Sequence, residues 1–550
     1  MGSTFVNAEV TDDGYVYQEY GGVFIVTGYT GGETTLTFPT INGEKVDVYF
    51  YSPADVLNSS SVVEVDLTNV RRIYSDAFIV RTSPFGSESG FLKLQKVKIG
   101  VDNSFDERAF YVSTVTDLSF SSDVEEVTSS MVAPFKATVT NVDLTGVNSI
   151  GASAFANCTK LASIDLKKVS TIGASAFAGS ALKYIISNSV KTINKNAFSG
   201  CSSLAFASFE ELTSLGDGAF RESGLSSFDV PSGLTALPAN CFYSCKSLSQ
   251  ITLSNIQEIG NYAFYFCEKL TDVSFNNVAK IGDYAFQHSG MEGTLEFYPT
   301  LISLGTDAFG STDLTGANFT SNPSGVNRAF GGSDVLTLNI GDVADLDLSN
   351  QNTYDKVVYT RTITSSSDGN RRYAGMMLPF TPDKNDDYAY YCVDEVSSSE
   401  VSFVETDPTA NTPYLFENLS GFSSVEIVAT GDVVVGGSDA TIITDGYATG
   451  VYEETTVASD GKYYSINGGV MTKYTNNLKV KPYRVYWDFS TVSSANFMLR
   501  TSRGGETAID FMEINNEQNL EQNYYDLTGR KVLNPVKGNI YIVKGKKVVF

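Results

Sequence analysis

Ile150-Gly-Ala-Ser-Ala-Phe155 and Ile172-Gly-Ala-Ser-Ala-Phe177 are one phrase written twice, and the chain goes on writing it. Variants follow as Ile193-Asn-Lys-Asn-Ala-Phe198, Leu215-Gly-Asp-Gly-Ala-Phe220, Leu237-Pro-Ala-Asn-Cys-Phe242, Ile259-Gly-Asn-Tyr-Ala-Phe264, Ile281-Gly-Asp-Tyr-Ala-Phe286 and Leu304-Gly-Thr-Asp-Ala-Phe309. A ninth copy closes at Ala329-Phe330, and the phenylalanines fall 22, 21, 22, 22, 22, 22, 23 and 21 residues apart. A unit this short cannot bury its own apolar side, so the copies must stack, each covering the next.

Between phrases runs a second apolar set. Leu161-x-x-Ile164-x-Leu166-x-x-Val169 matches Leu248-x-x-Ile251-x-Leu253-x-x-Ile256 and Leu270-x-x-Val273-x-Phe275-x-x-Val278. The alternation reads as a strand with one buried side. Gly151, Gly173, Gly216, Gly260, Gly282 and Gly305 share a slot where a turn is expected to need a positive φ. The Ala-Phe pair is expected on a short helical turn. A strand and a helical turn repeating every 20–29 residues predict an α/β leucine-rich-repeat solenoid, with strands about 4.8 Å apart and a length on the order of 40 Å for nine units.

Working outward, residues 1–60 alternate apolar and polar positions between turns, as in Val23-Phe-Ile-Val-Thr-Gly-Tyr29 and Lys45-Val-Asp-Val-Tyr-Phe50. They read as short strands forming a β-rich cap and opening repeat. Residues 61–340 form the solenoid, with weakened copies ending at Phe78, Phe110 and Phe135 before the regular block. Beyond 340 the beat stops. Residues 341–512 read as strands of an all-β sandwich, among them Lys356–Thr360, Tyr388–Val393, Ser424–Ala429 and Tyr483–Phe489. Residues 513–550 comprise a linker, its polar and acidic character starting at Phe511, and a C-terminal β-module.

Composition narrows the function. With 38 basic against 63 acidic side chains the net charge is −25, which repels phosphate backbones and excludes nucleic acid as the expected partner. No apolar run reaches transmembrane length. Met1-Gly2-Ser3 leads straight into polar sequence, so the expectation is a mature chain without its export signal.

The catalytic toolkit is thin. His288 is the only histidine, so a triad or multi-histidine metal site would have to rest on it; it reads as a surface or loop residue. Cys158, Cys201, Cys245 and Cys267 stand three residues after a repeat Phe, where Ser180, Ser223, Ser289 and Thr312 stand elsewhere. A slot shared by Cys, Ser and Thr reads as a small buried ladder, with a Cys245–Cys267 disulfide as the alternative. Asp383-Lys-Asn-Asp-Asp387 has calcium-loop spacing, but Tyr388 stands where that loop needs glycine. No catalytic residue, metal site or cofactor is expected, and no enzyme activity.

Recognition is expected on the exposed side of the inter-phrase strands. Those positions are mostly small and polar, with an aromatic pair at Tyr184 and Phe206. Tyr184, Phe206, Gln250, Asp272 and Glu296 are the candidate binding residues, since hot spots favour Tyr and Arg. Tyr388, Tyr390 and Tyr391 offer a second reading, carbohydrate stacking on the β-region, although alternation puts at least one set in the core.

The consensus L-x-x-I-x-L-x-x-V-x-x-I-G-x-x-A-F-x-x-C resembles the BspA-type leucine-rich repeats of bacterial surface proteins. Met377-Leu-Pro-Phe380 and Ala410-Asn-Thr-Pro-Tyr-Leu-Phe416 resemble a β-domain appended to Bacteroidetes surface proteins. Asp526-Leu-Thr-Gly-Arg530 and Gly538-Asn-Ile-Tyr-Ile-Val543 resemble a C-terminal module of exported proteins of that phylum. The resemblance implies an extracellular or outer-membrane-surface, adhesin-like protein with a protein or glycan ligand. A carbohydrate-binding accessory in nutrient capture is the alternative.

Overall fold

The structure is a computed structural model. It describes residues 9–514 except 50–61, 76–78, 82–87, 91–92, 107, 111–113, 331–334, 342–345, 347, 349, 364–371, 398–399, 421, 437–441, 459–461, 468–469, 475–476, 491, 493–495, 501–505 and 510. Beyond 514 it describes residues 524–525, 531–532, 540–543 and 546–549. The end of the Phe78 copy of the phrase and Asp526–Arg530 lie outside the described residues. Two compact units are present, one of residues 1–319 with 323–336, the other of 320–322 with 337–550.

The first unit is a β-solenoid of about 13 turns with few helices. The first residues of successive phrases pair in parallel. Glu126–Val127, Ser149–Ile150, Thr171–Ile172, Thr192–Ile193 and Ser214–Leu215 make one ladder, and Ala236–Leu237 through Ser303–Leu304 another. The ladder breaks where the sequence says it must. Elsewhere the residue after the first position donates its N–H back one repeat, as Gly173 does to Ile150 and Gly260 to Leu237. Pro238 has no N–H to give Leu215, and there the sheet ends.

The repeat glycines are not left-handed. Positive φ falls instead two residues before and two after each phrase Phe from Phe155 to Phe309, as at Ser153 (54°), Asn157 (61°), Ser175 (55°) and Gly179 (67°). Glycine is needed for close approach: a Cβ on Gly216, Gly260 or Gly305 would lie 2.4, 2.6 or 2.3 Å from a backbone nitrogen of the preceding repeat. The Ala-Phe pair is not helical either. Left-handed residues at every fourth position aim alternate N–H groups out of the turn. Ser153, Phe155 and Asn157 donate to Ala174, Ala176 and Ala178 of the next repeat, while Ala154, Ala156 and Cys158 bond within their own. Among the described residues helix occurs only at Ser129–Val132 with the 3-10 turn Ala133–Phe135, and at Val326–Ala329. The first fits a lengthened phrase: Val127 to Phe135 carries three more residues than Ile150 to Phe155, and the surplus winds into one turn.

The core is a column of phenylalanines. From Phe155 to Phe330 nine rings stack with centroids 4.9–5.7 Å apart and planes within 15°. The separation follows the strand spacing, because each ring rides on its own rung. On the inter-phrase side the apolar alternation is largely buried, but ladder pairing is discontinuous: Tyr184–Ser187 pairs only with Phe206–Phe209 and Ser227–Asp229 only with Gln250–Thr252, while Glu292–Phe297 and Asp313–Phe319 pair within a larger sheet. Residues 161–166 and 270–275 keep the burial pattern without strand pairing.

Upstream the same architecture continues in less regular form. Thr35–Thr37, Glu64–Asp66, Lys96–Ile99, Asp117–Phe120 and Asn141–Asp143 make a parallel five-stranded sheet. A separate six-stranded sheet opens with the antiparallel strands Glu9–Val10, Tyr15–Tyr20 and Val23–Tyr29 and continues in parallel through Val46–Val48, Val70–Ile73 and Ser104–Phe105.

The second unit is all β among the described residues. One sheet runs Arg372–Met376, Tyr414–Asn418, Tyr388–Val396, Glu400–Thr406, Asn496–Arg500 and Glu506–Ile509 in spatial order. Another runs Ile442–Asp445, Ala448–Val451, Arg484–Asp488, Tyr463–Asn467, Val470–Tyr474 and Phe511–Ile514. The last strand pairs in parallel with Val470–Tyr474, so the start of the expected linker is part of the sheet. Trp487, Tyr391, Tyr452, Tyr464 and Tyr483 are fully buried here. The segments Tyr524–Tyr525, Lys531–Val532, Ile540–Val543 and Lys546–Val549 form a four-stranded antiparallel sheet.

Candidate recognition surface

The inter-phrase strands present their outward positions as columns. Lys183 donates to Ala162, Ala205 to Lys183, Ser226 to Ala205 and Ser249 to Ser226, at 2.9–3.2 Å, which keeps successive repeats in step. Tyr184, Phe206, Ser227 and Gln250 therefore follow one another down one column. Tyr184 lies directly opposite Phe206, and Ile186 opposite Ser208. Tyr184, Ile186 and Phe206 are 54%, 58% and 40% exposed, an apolar trio on a rigid backbone. Sequence reasoning kept the aromatic pair and passed over Ile186, whose signal was an isoleucine at an outward position.

The other candidates are dispersed. Gln250 is exposed two rungs beyond Phe206, on a strand opposite Ser227. Asp272 is exposed outside any strand. Glu296 faces Asn318 across a strand pair and accepts a hydrogen bond from its side-chain amide. These three do not converge with Tyr184 and Phe206 into one pocket.

The same outward face extends into the early repeats, where the sequence reading proposed no site. Glu64, Lys96, Asp117 and Asn141 stand on successive rungs, lining with Leu118 and Asp143 a shallow depression of about 280 Å³. Its neighbour Asp66 feels burial, which opposes its charge, yet hydrogen bonds from Thr68 and the Lys98 ammonium at 3.0 Å hold its carboxyl below the ordinary value. The face thus runs from charged, through apolar at Tyr184 and Phe206, to polar.

The remaining chemistry is structural. All six cysteines are free, and Cys245 and Cys267 are not bonded to each other. Cys201, Cys245 and Cys267 donate to the carbonyls of Phe177, Phe220 and Phe242 at 3.0–3.1 Å, and Ser180 and Ser223 sit beside Cys201 and Cys245. The shared Cys/Ser slot is therefore a small hydrogen-bonding rung. Burial pushes the Cys245 thiol up to about 11 and the Cys158 thiol to about 12, so neither is a nucleophile near neutrality. Tyr390 and Tyr391 are buried, the latter donating to Glu417, and Tyr388 is partly buried with its hydroxyl on the Glu426 carbonyl. Tyr390 and Tyr391 pack the core of the β-region, while Tyr388 stays partly exposed. Asp383 accepts from Thr430, and Asn385 from the Asp387 N–H. No helix among the described residues is long and apolar enough to cross a membrane.

The repeat geometry, the Phe column and the matching family profile agree. BspA type leucine rich repeat region is matched in six copies, over residues 89–205, 135–249 and 213–337. Residues 89–337 are BspA-type leucine-rich repeats. Similar solved structures are bacterial repeat proteins. A leucine-rich repeat protein of Bacteroides ovatus is 19% identical, covering 62% of this chain and 71% of its own, with a TM-score of 0.28. A leucine rich cell surface protein of Faecalibacterium prausnitzii is 18% identical, covering 60% and 95%, also at 0.28. The pneumococcal vaccine antigen PcpA is 14% identical, covering 61% and 87%, at 0.22. No curated protein matches the chain in sequence. BspA-type repeats are in general non-enzymatic binding scaffolds.

Proposed function

We propose that this BspA-type protein is an exported, non-enzymatic interaction protein of the cell surface, adhesin-like, binding a host or environmental protein through the outward face of its inter-phrase strands. The observation that carries the reading is the exposed trio Tyr184, Ile186 and Phe206, held in register on a hydrogen-bonded ladder. Exposed aromatics on a rigid backbone lose little entropy on binding, which makes them effective anchors. The surrounding small polar positions, Gln250 and Asp272 among them, would form the rim. The 341–512 region is read as a β-sandwich domain, and 513–550 as a linker and C-terminal β-module serving secretion or attachment.

The test is binding of the whole protein to a panel of immobilised extracellular-matrix proteins, compared with the double variant Tyr184→Ala/Phe206→Ala. Loss of capture by about tenfold or more, with unchanged melting, is the expected result. Unchanged capture by the double variant refutes the assignment of the face. Saturable oligosaccharide binding lost on Tyr388→Ala would favour the carbohydrate-binding alternative instead.

A further inference from the structure

A second surface lies on the turn side of the same repeats. The two left-handed slots flanking each phrase Phe are mostly Ser, Asn or Gly, as at Ser153, Asn196, Gly200 and Asn240. In two successive repeats they hold Tyr262, Phe266, Tyr284 and His288 instead, at φ of 56–58°. Bulky side chains rarely adopt that conformation, and the core of these repeats is already filled by Phe264 and Phe286. Strain retained at a site with no packing need points to function.

The rings are ordered. Tyr262 stacks on Tyr284 at 4.9 Å, Tyr243 on Tyr265 at 5.1 Å, and Phe266 on His288 at 4.5 Å, with Tyr265 edge-on to Tyr262 and Phe266. Each is only partly buried. Because the rings cover one another's faces inside the columns, a sugar has no inner face to stack on; the ends of the columns and the ring edges remain. One end shows its own preference: the Arg221 guanidinium lies 4.2 Å above the Tyr243 ring, steadied by Glu222 at 3.1 Å. At the other end Tyr284 is flanked by Asp283 in sequence and by Asp307 on the next rung of its column. Both carboxylates thus stand on rungs bordering that ring, Asp283 also accepting the Thr306 N–H at 2.7 Å. Two copies of a chain of net charge −25 would not favour meeting on an acid-rimmed face.

We propose that this turn-side aromatic cluster docks an arginine-bearing polypeptide, a guanidinium seating on Tyr284 beside Asp283 and Asp307 by cation–π and charge-assisted contacts. It is distinct from the strand-face site and does not depend on it.

The test uses the full chain and a fluorescent peptide of Gly-Arg-Gly-Tyr repeats, with lysine and glutamate counterparts. Tyr262→Asn/Tyr284→Asn installs the residue that Asn196 and Asn240 already supply in that slot, so the fold is kept and melting checks it. Arginine-peptide affinity is expected to fall about tenfold in this variant and to be unaffected by Tyr184→Ala/Phe206→Ala. The lysine peptide should bind more weakly and the glutamate peptide not at all. Equal arginine-peptide binding by wild type and Asn variant overturns the proposal, as does a preference for glutamate; equal binding of the lysine peptide overturns the guanidinium assignment.

Discussion

On the turn side the inward residues of the phrase hardly change from Ile150 to Phe309, the Ala-Phe pair giving way only to Cys241-Phe242, whereas on the strand side the outward residues change at every rung. Both sides belong to the same repeats and are spaced by the same backbone. They differ in what a substitution would meet. On the turn side, a glycine touches the backbone of the repeat before it and a phenylalanine touches rings above and below. On the strand side, outward positions such as Tyr184 and Gln250 meet solvent. Repetition therefore marks where the stack is closed, and variation marks where a ligand can be chosen.

The sharpest way to break this contrast is Phe220→Ala. Phe220 stacks 5.3 Å from Phe198 and 5.7 Å from Phe242, fully buried. Removing one ring leaves a cavity whose walls are held apart by the hydrogen-bonded rungs on either side. A loss of about 3–5 kcal/mol is expected from urea titration. Wild-type stability would mean that the column is not the core.

Gly260→Ala tests close approach with a smaller expected effect. The new methyl group would meet the Ala239 nitrogen at 2.6 Å. From Phe155 to Phe309, Asn194 and Pro238 occupy the slot in the two repeats that lack glycine, so the turn has some room to adjust. The cost is expected at about 1–3 kcal/mol, read from the same titration. A neutral result would show that the glycines are not placed by contact.

Smaller still near neutrality is the effect of the buried thiols, which shows only in alkali. Burial raises Cys245 from its ordinary 9.0 to about 11, and Cys267 is raised well above the ordinary value by the same cause. The folded state keeps these protons when the unfolded chain has lost them. Stability is therefore independent of these groups below pH 9 and falls as pH rises from about 9 toward 11. Cys245→Ser, which copies Ser223 one rung earlier, should reduce the slope of stability against pH. An unchanged slope would mean that the thiol is not sealed by the stack.

What the sequence revealed followed the same division. The period, the stacked phenylalanines and the small-residue rung could be read from Phe155 to Phe330 because each is dictated by a neighbour of identical type. The handedness of the turn could not: a glycine excluded from positive φ and a glycine required there look alike, and only the approach of Gly260 to Ala239 separates them. The early repeats were obscured by phrase length, since Val127 and Phe135 are separated by a helical turn that breaks the beat. Their strand halves, such as Val62-x-x-Val65-x-Leu67, kept the pattern and could have revealed the rungs of Glu64, Lys96, Asp117 and Asn141. Tyr262 and Tyr284 stood in aligned slots in plain view. Without the backbone angle, nothing marked them as costly.

Among the side-chain truncations the smallest expected stability change belongs to Tyr184→Ala/Phe206→Ala, and that smallness is its value. Both side chains are more exposed than buried neighbours such as Ile185 and Ala207, which hold the rung to the core. Truncating them removes a cross-strand contact on the solvent side and leaves every backbone rung in place. The denaturant midpoint should shift by no more than about 1 kcal/mol in total, as for surface substitutions. If the pair proves as costly as Phe220→Ala, the strand side is scaffold too, and the variable face loses its claim to recognition. If stability holds while capture of a partner falls, the outward columns are free of structural duty, which is the condition under which one stack can carry different binding surfaces.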